Sequence, residues 1–132
     1  MKNRMRMLVI CAVSLLIGLI IYVVFRPQTY ISLWLGNFLK IKYYPKNAIF
    51  ISFYLPDFLW ALSLCSCLFA FFPLKKQIMW LWGAVTFLYG CFWELLQMLS
   101  SGFGTADIID IILYFTAAAT VVLINYYFNK EK

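Results

Sequence analysis

Of the five carboxylates in this 132-residue chain, four stand at the edges of apolar runs: Asp57, Glu94, Asp107 and Asp110. Glu94 and Gln97 are three residues apart, as are Asp107 and Asp110, and that spacing sets each pair on one side of a helix. An ionised carboxylate in apolar surroundings must be paired, hydrated or protonated, and this cost marks the positions as candidate functional groups. Carboxylate oxygens suit a hard divalent cation, with Asp57, Glu94, Asp107 and Asp110 as the candidate metal ligands, and paired acids can also move a proton. Gln97 brings a donor and an acceptor, enough to hold Glu94 or a polar ligand. No organic cofactor is indicated.

Each position also has a plainer role open to it. Asp57 follows Pro56 and can serve as a helix cap or dipole partner. Asp107 and Asp110 are spaced as a capping box with aspartate in the glutamate position. Glu94 lies near a helix C-terminus, where negative charge gains nothing from the dipole of its own helix, and it can instead pair with Arg26 or hydrogen-bond a neighbouring helix. For Gln97 the alternative is a helix–helix contact. Arg26, Lys40, Lys42 and Lys46 are the candidate ligands for a phosphate, while Arg26 also fits as a simple boundary residue at a helix end.

The elements that must carry these groups are apolar. The chain is 65% hydrophobic with a mean hydropathy of +0.88 and 12% charged residues, against roughly 25% in an average soluble domain. A soluble fold of this size could not hide that surface, whereas lipid accepts apolar side chains on every face. The net charge of +6 does not point to nucleic acid, because the basic residues are scattered at chain ends and between apolar blocks. Histidine is absent, and Cys11, Cys65, Cys67 and Cys91 lie within apolar blocks as small buried residues. The nucleotide-binding, zincin and serine-hydrolase motifs are all missing.

Four spans follow, making an all-α integral membrane protein: a four-transmembrane-helix bundle, read as a single domain over residues 1–132. Met7 to Phe25 is uncharged and reaches about the 30 Å of a hydrocarbon core. It lacks a small-residue cleavage site and is read as a retained first span (7–25). Gln28 to Asn47 mixes Lys40, Lys42 and Lys46 with Trp34, Phe38, Tyr43 and Tyr44, which suits an interfacial segment after the first helix. The second span runs 56–72, with Ile49 to Tyr54 approaching along the interface, and closes at Pro73. The third runs 77–99 and the fourth 108–128, joined by the Gly-containing link 100–105.

Charge orients the bundle. With both termini in the cytoplasm, seven basic residues fall inside and four outside, as the positive-inside rule favours. Asp57, Glu94, Asp107 and Asp110 then meet at the extracytoplasmic face of a multi-pass cytoplasmic (inner) membrane protein.

Leu55-Pro56-Asp57, then Glu94-Leu95-Leu96-Gln97, then Gly104-Thr105-Ala106-Asp107-Ile108-Ile109-Asp110, each attached to a hydrophobic span, resemble the VanZ-like family of small bacterial membrane proteins. The similar region covers about Tyr54 to Tyr126. The resemblance implies a shared polar site of Glu94, Gln97 and Asp107, with Asp110 beside it. Family members commonly carry a histidine early in this region, and here Leu55 to Leu64 occupies that part without one.

Two functional readings fit these residues. In the first, the chain binds a membrane lipid, a glycan carrier or another lipid-linked or amphiphilic envelope component at the extracytoplasmic polar site. In the second, it is a small membrane enzyme acting on such a substrate. A structural or transporter subunit, as a homo-oligomer or part of a larger membrane complex, is a third. The topology is testable with cysteines introduced singly at Lys2, Gly102 and Glu131 after the native cysteines are replaced by alanine. Impermeant thiol reagents should reach position 102 from outside and the other two only from the cytoplasm. Labelling that puts Asp57 and Asp107 on opposite surfaces would end the shared site.

Overall fold

The computed structural model describes residues 2–25, 50–73, 75–99 and 106–130. It is a bundle of four helices: α1 (Lys2–Phe25), α2 (Leu55–Phe71), α3 (Trp80–Leu99) and α4 (Ile108–Lys130). The expected interfacial segment, with Arg26, Lys40, Lys42 and Lys46, and the link 100–105 lie outside the described residues.

Helix boundaries follow local chemistry. α1 starts before the uncharged run, because backbone hydrogen bonding continues through Lys2, Arg4 and Arg6 whether or not lipid surrounds them. Phe50–Tyr54 forms a π-helical turn that runs directly into α2, where the sequence suggested a separate interfacial approach. Pro56 explains the wide turn: its ring has no N–H to donate back to residue 52 and would crowd that carbonyl in regular α geometry. At the far end the Phe72 N–H bonds the Leu68 carbonyl at 2.8 Å, and Pro73 stops the helix. A short 3-10 turn, Lys76–Ile78, precedes α3, so the helix begins three residues after the expected Gln77.

Helices consecutive in the chain run antiparallel, which leaves α2 and α4 parallel to each other. α1 lies along α2, α2 along α4, and α3 chiefly along α4. Close approach depends on small residues. Gly18 of α1 faces Leu59 and Trp60 of α2, Gly83 of α3 faces Val122 of α4, and Gly90 of α3 faces the Tyr114 ring. The buried stripe of α3 reads Gly83, Thr86, Gly90, Glu94, and that of α4 reads Tyr114, Ala117, Ala118, Val121, Val122, Asn125, both at helical spacing.

The core is apolar around Met7, Cys65, Phe69, Ala70, Met79, Val121 and Val122, but it also takes in polar side chains while the outer surface is apolar. Ser14, Ser63, Ser66, Thr86, Glu94 and Asn125 are buried, while Val13, Leu16, Ile20, Leu88, Phe92, Ile112, Phe115 and Leu123 point outward. Such a surface is stable where the solvent is hydrocarbon. Three helical stretches, Asn3–Phe25, Phe50–Phe71 and Ile108–Asn129, are long and apolar enough to cross a membrane. The chain is a multi-pass helical membrane protein. α3 has the length but is not among the three, since Glu94, Gln97 and its tryptophan, tyrosine and glycine residues lower its hydropathy.

The two ends of the bundle differ in charge. At one end Asn3 Nδ2 donates to Asn125 Oδ1 and Asn129 Oδ1 at 3.1 and 2.9 Å, joining α1 to α4. Arg4 and Arg6 lie over Phe71 and Phe128 there, and Trp82 Nε1 donates to the Phe72 carbonyl at 2.6 Å. The opposite end holds Tyr54, Asp57, Glu94, Asp107 and Asp110.

A β-carbon on Gly90 would overlap the Tyr114 ring and its Cβ, whereas one on Gly83 would meet only the end of the Val122 side chain. Gly90→Ala should therefore cost about 1–3 kcal/mol of stability, and Gly83→Ala less, measured as unfolding midpoints of purified protein in one detergent. Equal midpoints for Gly90→Ala and parent would mean that α3 and α4 do not meet at this crossing.

Candidate functional site at the acidic end

Asp107 opens α4. Its Oδ1 accepts the Ile109 N–H at 2.9 Å, and its own carbonyl accepts the Asp110 N–H at 3.2 Å, so it caps the first turn. The spacing suggested a capping box closed by Asp110, but the structure closes it differently. The Asp107 backbone N–H donates to Glu94 Oε2 at 3.0 Å, so a carboxylate from α3 takes the place that the fourth residue of a capping box would fill. The reason is length: an aspartate is one methylene shorter than the glutamate that makes this reach, and Glu94 arrives from the neighbouring helix.

The second Glu94 oxygen is also engaged. Tyr114, two turns into α4, donates its hydroxyl to Glu94 Oε1 at 3.1 Å in a buried contact. Glu94 is only 3% exposed, yet both oxygens have donors, which is what makes a carboxylate tolerable there. The charge also sits at the N-terminus of α4, where the dipole favours it, although the C-terminus of α3 does not. From α2's side, Tyr54 donates its hydroxyl to Asp107 Oδ2 at 2.9 Å. A continuous network results: Tyr54 to Asp107, Asp107 to Glu94, Tyr114 to Glu94.

The structure thus brings Glu94 and Asp107 into direct contact. Asp57, in the first turn of α2, and Asp110, in the first turn of α4, are close enough for their charges to act on the Tyr114 hydroxyl. Both are half-buried. Gln97 lies one turn beyond Glu94 on α3 and is also half-buried. The phosphate candidates Arg26, Lys40, Lys42 and Lys46 lie outside the described residues.

Among the described residues, no three of the Asp, Glu, Cys or His side chains come together as a metal-binding group. Asp57, Glu94, Asp107 and Asp110 share one end of the bundle without converging on a point, because the oxygens of Glu94 and Asp107 are turned toward N–H and O–H donors.

Tyr54 and Tyr114 are the members that the sequence reading passed over. Tyr114 carried a usable cue, being four residues after Asp110 and thus on the same helical side of α4. Tyr54 carried none, since its role depends on the π-turn that leads into α2. No protein-family model, curated protein or solved structure matches the chain.

Replacing Glu94 by Gln puts an NH2 group against one of two donors and leaves that donor without an acceptor. Glu94→Gln should lower stability by about 1–3 kcal/mol, and Tyr114→Phe by about 1 kcal/mol. The double variant should lose less than the sum, since both changes remove one shared bond. Additive losses in thermal unfolding would show that the two side chains act independently.

Proposed function

We propose that the chain is a non-catalytic membrane protein that holds the polar headgroup of a lipid, a glycan carrier or another amphiphile at the end formed by Tyr54, Asp57, Glu94, Gln97, Asp107 and Asp110. The observation that carries this reading is the gathering of four carboxylates, from α2, α3 and α4, at one end of a bundle whose sides are apolar. An amphiphile matches both parts: acyl chains along the exposed apolar faces, donor-bearing headgroup atoms at the acids.

Within this reading the residues divide by role. Glu94, with each oxygen held by a donor of its own chain, is a positioning residue that fixes Asp107 and Tyr114. Asp107, whose two oxygens take the Ile109 N–H and the Tyr54 hydroxyl, shares that positioning role, and Asp57, Gln97 and Asp110 are the groups that meet the ligand. α3 serves as a fourth span, its polar stripe turned to α4 rather than to lipid. With both termini cytoplasmic, the acidic end faces outward, and the protein belongs to the bacterial inner membrane and to the VanZ-like family. Support for that membership comes from the three motifs quoted above and from their meeting at one end.

Membrane patches excised in polymer discs from bacterial cells expressing the full chain test the site. Mass spectrometry of retained lipids should find one amphiphile class enriched over the bulk membrane. Asp57→Asn/Asp110→Asn should reduce that enrichment by about ten-fold, the size expected for losing one charge-assisted hydrogen bond. Equal enrichment in the parent, this variant and E94A would remove the acids from the ligand site.

A further inference from the structure

The opposite end carries its own chemistry, which the proposal above does not use. Basic residues from separate stretches stand there: Arg4 and Arg6 on α1, and Lys75 between α2 and α3. The contacts that bring these stretches together are the Arg4–Phe71 and Arg6–Phe128 pairs and the asparagine ladder between α1 and α4. Every described Asp and Glu is at the other end; the remaining acid of the sequence, Glu131, follows Lys130.

The aromatic contacts matter chemically. The Arg4 guanidinium carbon is 5.8 Å from the centroid of Phe71, and that of Arg6 is 4.6 Å from the centroid of Phe128. A ring attracts the cation without accepting a conventional N–H···O bond, so Arg4 keeps donors suited to a planar, two-oxygen acceptor. The two arginines lean to different neighbours, α2 and α4, and Lys75 is exposed beside α2. Trp80 is exposed in the first turn of α3, and the Trp82 indole is tied to the Phe72 carbonyl. Tryptophan at this level marks the headgroup zone, the depth at which lipid phosphates lie.

We infer that this basic end is a binding surface for anionic phospholipid, with Arg4 and Lys75 contacting the phosphodiester oxygens. The partner is assigned by charge and depth together: phosphate chemistry is what the cations take, and the headgroup layer is where they are held.

The full chain reconstituted into discs of phosphatidylcholine containing a minor fraction of phosphatidylglycerol provides the test. Lipid retained after mild detergent extraction should be enriched in phosphatidylglycerol by about thirty-fold, about five-fold for each of the two basic contacts near the membrane surface. Arg4→Gln/Lys75→Gln should bring the ratio to that of the bulk, and Lys75→Gln alone, at an exposed position outside the packed core, should lower it. Far-ultraviolet circular dichroism matching the parent shows that the variants are folded. The inference falls if the parent shows no enrichment, or if the double variant keeps it. It also falls if millimolar inorganic phosphate abolishes the enrichment at constant ionic strength, because the surface would then take the free anion and not the lipid.

Discussion

Glu94 is a carboxylate inside a bundle whose outer faces meet hydrocarbon, and the arrangement around it decides how α3 and α4 can sit. Unsupported, such a group would cost several kcal/mol or give up its charge. It is supported by two donors from α4, the Asp107 N–H and the Tyr114 O–H. These donors are seven residues apart, about two turns, so one side chain fixes both the axial register of α3 against α4 and their rotation about each other. Gly90 completes the constraint. It lies four residues before Glu94 on the same stripe and lets the Tyr114 ring reach across the crossing.

From that contact the rest of the packing follows. Helices in lipid gain nothing from hiding leucine, so association relies on close approach and on polar contacts. Both are visible here. Gly18, Gly83 and Gly90 occupy crossings, and the hydrogen bonds between helices include Ser63 to the Cys11 carbonyl at 3.1 Å, the asparagines at the basic end, and the Tyr54, Asp107, Glu94 and Tyr114 network at the other. Polar ties reach α4 from both ends, from α1 at one and from α3 and the turn before α2 at the other.

The sequence announced the helices because apolar length is a property of contiguous residues, and hydropathy reads it directly. It also announced that the acids would share an end, since antiparallel neighbours joined in order must return Asp57, Glu94 and Asp107 to one level. What it could not announce was who bonds whom. Spacing alone assigned the Asp107 amide to Asp110, because capping rules describe one helix at a time, and the residue that takes it comes from another. The π-turn at Phe50–Tyr54 escaped for a related reason. Pro56 signals that regular geometry must yield, but not whether the chain breaks or widens, and only the packed position of Tyr54 against Asp107 shows the second outcome.

Part of what lowers the hydropathy of α3 lies on its buried stripe. Glu94 and Thr86 lower the average for the helix, yet both face inward, so the helix that lipid meets is the outer surface of Leu81, Val85, Leu88, Phe92 and Leu95. A hydropathy average counts all sides of a helix equally, whereas lipid solvates only the exposed ones. Glu94 of α3 is satisfied from the α4 side, by the Asp107 amide at the entry to that helix and by the Tyr114 hydroxyl. α3 and α4 are therefore one unit in energetic terms: a hairpin whose second strand supplies the donors that let the first carry a carboxylate. The same dependence ties the candidate site to the fold, because the groups that hold Glu94 in place are also the groups that set the acidic end.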